Sequence, residues 1–175
     1  MKRILLLRHA KARPGDADTL DADRPLDPRG EAAATAVGGY LARAGWLPDA
    51  VLCSAARRAR ETLEGLWRDW PHQPPAVYEE ALYAAGPADL LARLQEADPE
   101  TETVLVVGHN HTIQQAALDL AGGGNTAAYA QMKARFPTAG LALLEADVAD
   151  WSELHPGGAD LRAFVGPEDV PPAPD

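Results

Sequence analysis

Apolar residues along this chain fall into short unbroken runs that alternate with longer periodic stretches. Ile4 to Leu7, Ala50 to Cys53 and Val104 to Val107 are continuous apolar runs of strand length, as expected of strands covered on both faces in a parallel sheet. Between them, apolar positions recur three and four residues apart. The sets are Ala33, Val37, Tyr40, Leu41 and Ala44; Ala59, Leu63, Leu66, Trp67 and Trp70; Leu90, Leu91 and Leu94; and Ile113, Ala116, Ala117 and Leu120. Each set draws one apolar stripe along a helix.

Punctuation residues sit where these helices should start and stop. Asp27-Pro28 offers an N-cap and a first-turn proline, and Gly45 a stop; Ser54 is a possible N-cap for the second helix. Gly86-Pro87 opens the third helix, Asp98-Pro99 closes it, and Gly122-Gly123-Gly124 stops the fourth. Residues 76–80 read as a brief strand or extended loop, 126–134 as a shorter helix and 141–146 as a last strand.

Strands alternating with helices predict an α/β fold, a three-layer sandwich with a mainly parallel central sheet. One domain is expected over 1–165, and the proline-rich, acidic segment 166–175 is expected to be a flexible tail. Lys11 to Asp27, rich in Pro, Gly and Asp, reads as a long loop over the sheet edge and a candidate active-site loop.

Composition narrows the function. A chain of 175 residues with 46% hydrophobic content fills one core. A net charge of -10 with dispersed arginines argues against nucleic acid as a partner. The lone cysteine, Cys53, lies in an apolar run, which makes it a buried structural thiol and excludes an intrachain disulfide. The first apolar stretch is too short for a signal peptide and no run reaches membrane-spanning length, so a cytoplasmic protein with no membrane partner is expected.

The chemistry lies at the strand ends. Arg8-His9, the segment from Ser54 to Arg60, and Gly108-His109 each follow an apolar run, and in open α/β sheets ligands gather beyond the carboxyl ends of such strands. In order, these pieces resemble the histidine phosphatase (phosphoglycerate mutase-like) superfamily. Leu7-Arg8-His9-Ala10 is similar to its Arg-His signature, with Ala10 in place of the usual glycine. Ser54-Ala55-Ala56-Arg57-Arg58-Ala59-Arg60-Glu61-Thr62 resembles its Ser-Pro-x-x-Arg-Ala-x-x-Thr segment, with Ala55 in place of proline, and Val107-Gly108-His109-Asn110 resembles its second histidine motif. Compact size and Asp23-Arg24-Pro25-Leu26-Asp27-Pro28-Arg29-Gly30 look most like the SixA-type phosphohistidine phosphatases.

The resemblance implies a histidine phosphatase fold without a lid subdomain and a pocket made by Arg8, His9, Arg58 and His109. His9 is then the nucleophile, Arg8 and Arg58 clamp the phosphoryl group, and His109 donates to it, charged when phosphate is bound. Guanidinium forks suit a phosphoryl dianion, and nearby cations keep His9 neutral and nucleophilic. Asn110 opens the next helix beside the anion. Arg24 either contacts phosphate or pairs with Asp21 or Asp23. Glu80 is the expected general acid, by loose analogy with larger family members. Arg57 and Arg60 should face solvent, His111 the rim, and His72 and His155 loop surface.

No cofactor and no metal are expected, because His109 and His111, two residues apart on a turn into a helix, do not share a face. The expected donor is a phosphohistidine-bearing protein. A small phosphorylated molecule acted on by a phosphomonoesterase with the same pocket is the alternative within enzymes, and a non-catalytic phosphate-binding scaffold the alternative of another class. A nucleotide-binding α/β protein lacks support, since no glycine-rich phosphate loop follows the first strand.

Overall fold

The computed structural model describes residues 1–171. Seven strands form one sheet: β1 (Lys2–Arg8), β2 (Ala50–Ser54), β3 (Ala76–Glu79), β4 (Thr103–Gly108), β5 (Ala121–Gly124), β6 (Leu141–Ala146) and β7 (Ala159–Val165), in the order β3-β2-β4-β1-β6-β7-β5. Strands β1 and β4, β2 and β4, β2 and β3, and β5 and β7 pair in parallel, while β6 runs antiparallel to both β1 and β7. The sheet is mainly parallel, as the alternation predicts.

Strand β1 sits at the centre with both faces covered. Ile4 and Leu6 join a core that includes Leu90, Leu94, Ile113, Ala117 and Met132; Leu5 and Leu7 join one that includes Val37, Leu41, Leu63 and Leu66. The helices behind the first core are α4 (Pro87–Gln95), α5 (Thr112–Leu120) and α6 (Thr126–Ala134), and behind the second α1 (Pro28–Ala44) and α2 (Arg57–Leu66). This two-sided cover explains the unbroken apolar run, and the parallel register ends it so that Arg8 lies beside Gly108.

Helix α1 starts as its sequence dictates, with the Asp27 side chain accepting from the Gly30 N–H at 2.8 Å, a cap that contributes about 1 kcal/mol. It ends at Gly45, whose φ of 73° is left-handed. A four-residue helix, α3 (Ala81–Ala84), follows β3, and no longer insertion covers the strand ends there.

Three sequence expectations change. Ser54 is not the N-cap of α2, which is Ala56 without a side-chain cap bond; the Ser54 hydroxyl accepts from the Ala56 N–H at 3.2 Å and also bonds His109. The triple glycine is a strand, not merely a stop: β5 packs so tightly that a Cβ on Gly122 would lie 2.0 Å from the Gly157 carbonyl oxygen, and Gly124 has a φ of +99°. Leu141–Ala146 is not the last strand, since β7 alternates buried Ala159 and Leu161 with exposed Asp160 and Arg162.

Of the segment expected to be a tail, Gly166 to Asp169 form a turn closed by the Asp169 N–H to the Gly166 carbonyl (3.0 Å), and Val170 packs on the α1 side of the core. Residues 172–175 lie outside the described residues. No helix among the described residues is long and apolar enough to cross a membrane.

Candidate active site

The carboxyl ends of β1, β2 and β4 deliver their polar residues to one cleft of about 500 Å³, lined by Arg8, His9, Lys11, Ala12, Arg24, Arg58, Tyr83, His109, Asn110 and Thr138. The fold therefore brings Arg8, His9, Arg58, His109, Asn110 and Arg24 together. Arg57 and Arg60 turn outward, Arg57 to Glu61 at 2.6 Å and Arg60 over the Tyr78 ring. His72, His111 and His155 are exposed.

His9 is buried, with Nδ1 2.7 Å from the Ala10 carbonyl oxygen. That carbonyl can only accept, so Nδ1 carries the hydrogen and Nε2 keeps its lone pair. Burial, reinforced by His109, Arg58 and Arg8, pushes the His9 pKa down to about 3. The cations act in the expected direction, but burial is the larger cause. The loop after His9 is fixed by Thr62, whose hydroxyl accepts from the Ala10 N–H at 2.9 Å and donates to the Arg58 carbonyl at 2.6 Å.

The His109 ring centroid lies 5.2 Å from that of His9, and its Nε2 is 2.8 Å from Ser54 Oγ. Burial, then Arg58, lower its pKa to about 4 against the opposing pull of Asp21. His109 is thus neutral in this structure, and an arriving anion would favour its charged form. Arg8 donates from one terminal nitrogen to the Phe136 carbonyl at 2.9 Å, while its Nε is buried without a partner. His109 Nδ1 and Asn110 Oδ1 are likewise buried and unpartnered.

Arg58 is buried and gripped by Asp21: one terminal nitrogen donates to the Asp21 carbonyl at 2.7 Å, the other to its carboxylate at 3.1 Å. The same carboxylate accepts from Arg24 at 3.0 Å and from the Tyr83 hydroxyl. These hydrogen bonds, Tyr83 foremost and then Arg24, hold Asp21 well below the usual carboxylate range. Arg24 thus pairs with Asp21 while bordering the cleft. The Tyr83 ring stands edge-on to His109 at 5.3 Å and under Arg58 at 5.6 Å.

Glu80 is not in this cleft. It is exposed and borders a separate groove beyond Tyr83, and its neighbour Glu79 is held by Arg93 at 2.6 Å. The expected general acid Glu80 thus lies outside the cleft in this geometry: β3 hands over to α3 there, and the side chain that turns toward His109 is Tyr83. Tyr83, Lys11 and Thr138, which line the pocket, and Asp21, which anchors Arg58 and Arg24 behind it, are residues to which sequence reasoning gives no role in the site. Lys11 and Asp21 fall in the loop that reads as a candidate active-site loop, and Asp21 is also one of the partners the sequence offers Arg24, while Tyr83 and Thr138 carry no signal.

A buried neutral imidazole flanked by two arginines and a second histidine is suited to receive a phosphoryl group. The sequence profile described as histidine phosphatase superfamily (branch 1) matches residues 4–83. An uncharacterized protein of Mycobacterium tuberculosis is 40% identical over 163 residues, 92% of this chain and 99% of its own.

The chain belongs to the histidine phosphatase superfamily.

Among solved structures, one described as a phosphohistidine phosphatase SixA of Nakamurella multipartitia superposes with a TM-score of 0.81 at 32% identity, covering 95% of this chain and 96% of that one. A SixA of Agrobacterium tumefaciens gives 0.80 at 29% identity, over 94% and 97%. Within the superfamily the chain falls in the SixA-type branch, and its class of chemistry is that of a phosphatase hydrolase. The profile match stops before His109, which the parallel pairing of β1 and β4 brings to His9.

Proposed function

We propose that this histidine phosphatase transfers a phosphoryl group to His9 and releases it to water, with a phosphohistidine-bearing protein as donor. The observation that carries the reading is the state of His9, neutral with Nδ1 engaged by the Ala10 carbonyl, beside Arg8, Arg58 and His109.

In the first step the Nε2 lone pair attacks phosphorus, and the bond from phosphorus to the donor nitrogen breaks. Its electron pair leaves with the donor imidazole, which takes a proton from water. In the second step a water oxygen attacks phosphorus, the bond to Nε2 breaks, its electron pair returns to His9, and phosphate departs with the proton balance met by solvent. Arg8, Arg58 and a protonated His109 offset the charge throughout.

The leaving group follows from what surrounds the cleft. Asp21 is held ionised by Tyr83, Arg24 and Arg58, and Glu80 lies in the next groove, so among the described residues no carboxylic acid serves the leaving group. The His109 that takes a proton when the anion binds is engaged in offsetting the phosphoryl charge. An alkoxide leaving from a phosphate ester needs a proton donor in the site. An imidazole leaving from phosphohistidine takes its proton from solvent, which favours the nitrogen-linked donor. The SixA neighbours, described as phosphohistidine phosphatases, support the same class.

Matched phosphohistidine and phosphoserine peptides, assayed with and without chelator, test this reading. The expected result is at least a hundredfold preference in kcat/KM for phosphohistidine, unchanged by chelator. Equal or reversed preference overturns it.

A further inference from the structure

The phosphate cleft continues along the sheet edge in two directions that differ in charge. Toward β2 and β3, across Tyr83, lies a groove of about 710 Å³ bordered by Asp23, Glu61, Glu64 and Glu80 as well as Arg57 and Arg60. Arg57 is already paired with Glu61, so that side is acidic. Toward β6 and β7, across Lys11 and Thr138, lies a cleft of about 610 Å³. Lys11, already paired with Asp27 at 3.8 Å, lines it together with Arg29 and Arg135, and Glu168 and Asp169 stand in its wall, Asp169 accepting from the Gly166 N–H at 3.3 Å.

Arg29 and Arg135 are exposed, and among the described residues neither has a carboxylate within 4.0 Å. In a chain with 26 Asp and Glu against 16 Lys and Arg, carboxylate partners are plentiful, yet these two guanidiniums stand open beside the phosphate site. The field of Arg135 reaches Arg8, so the two sites are electrostatically continuous.

We propose that this second cleft is a docking subsite for acidic residues flanking the phosphorylated histidine of a partner protein. The inference rests on the phosphohistidine reading of the His9 pocket. A guanidinium matches a carboxylate in shape as well as charge, and a segment whose phosphohistidine enters the His9 pocket continues over Lys11 and Thr138. An extended chain advances about 3.3 Å per residue, so residues within the first few positions beside the histidine reach Arg29 and Arg135. The net charge of the whole molecule does not oppose such a partner at contact, because charges farther than about 8 Å are screened at physiological salt.

The test uses synthetic phosphohistidine peptides with three aspartates on one side of the histidine, made in both orders, and a serine-flanked control. Binding is measured on His9→Ala, which cannot form the intermediate, and turnover on the unmodified protein. The tighter acidic peptide is expected to bind roughly tenfold better than the control at low salt, as two exposed ion pairs allow. Adding Arg29→Glu and Arg135→Glu should erase that preference, and Arg29→Lys with Arg135→Lys should retain it. Arg29→Glu places an acid in the first turn of α1, where the helix tolerates it. In the His9-intact background Arg29→Glu alone, which leaves the Arg135 charge beside Arg8 in place, should keep turnover of a small phosphoramidate within twofold.

Absence of an acidic preference overturns the proposal, as does its survival in the Glu pair. A loss of pyrophosphate affinity in the Glu pair without loss of peptide preference overturns it in favour of a small-ligand site. Selective acidic binding with no turnover of any phosphohistidine substrate leaves the docking subsite standing and removes the phosphohistidine reading instead.

Discussion

Arg58 donates to both the backbone carbonyl and the carboxylate of Asp21, at 2.7 and 3.1 Å, and the arginine is buried while the aspartate side chain is half exposed, at 52%. The pair holds the fork of Arg58 in place over the cleft. It also sets a fixed negative charge where a phosphoryl dianion must arrive.

Asp21→Asn separates these two effects, because the amide oxygen still accepts from Arg58 while the charge is gone. Inorganic phosphate should bind several-fold tighter to Asp21→Asn than to the unmodified protein in a calorimetric titration at pH 7. Weaker binding would show that the carboxylate serves mainly to orient Arg58.

Glu80→Gln should change kcat/KM by less than about twofold on phosphohistidine substrates, since an exposed side chain outside the cleft has no proton to deliver there. A tenfold or larger loss in steady-state assays would place Glu80 in the reaction.

The central part of this site is legible in the sequence for a physical reason. A strand covered on both faces must be apolar throughout, so Arg8-His9 and Gly108-His109 mark the points where burial ends and the sheet edge begins. Arg58 follows from the motif spacing, and Thr62 gains its reason from the Ala10 N–H that it satisfies. Tyr83 carries no such signal, because a four-residue helix has no periodicity to read. Asp21 shares a loop with Asp16, Asp18 and Asp23, and only tertiary folding decides which of them meets Arg58. Ser54 has the local chemistry of a cap and is also bonded to His109 from another strand. The buried faces of β7 are visible as alternation once β6 is in place to pair with it.

His9 should not titrate between pH 5 and 8. With its pKa down at about 3 and that of His109 at about 4, both lie below the ordinary value of 6.5. The unfolded chain therefore binds more protons than the folded one as pH drops below 6.5, and stability contributed by the two neutral imidazoles is lost progressively from there toward pH 3. Imidazole NMR shifts of His9 that stay flat to pH 5, with a melting temperature that falls below pH 6, are expected. A His9 midpoint near 6.5 would contradict the burial argument. Added phosphate should raise the His109 midpoint.

Thr62→Val keeps the shape of the side chain and removes the acceptor for the buried Ala10 N–H. The expected cost is about 1–3 kcal/mol, or roughly 3–10 °C in Tm for a domain of this size, read by thermal unfolding. A Tm within 1 °C of the parent would mean that the loop after His9 has another anchor.

The central claim is that His9 carries the phosphoryl group during turnover. Rapid mixing with a radiolabelled phosphohistidine donor and denaturation within milliseconds should trap a label on the protein that survives alkali, is lost in acid, maps to the peptide containing His9, and disappears in His9→Ala. Hydrolysis that proceeds at full rate with no protein-bound label, or with His9→Ala still active, would contradict it.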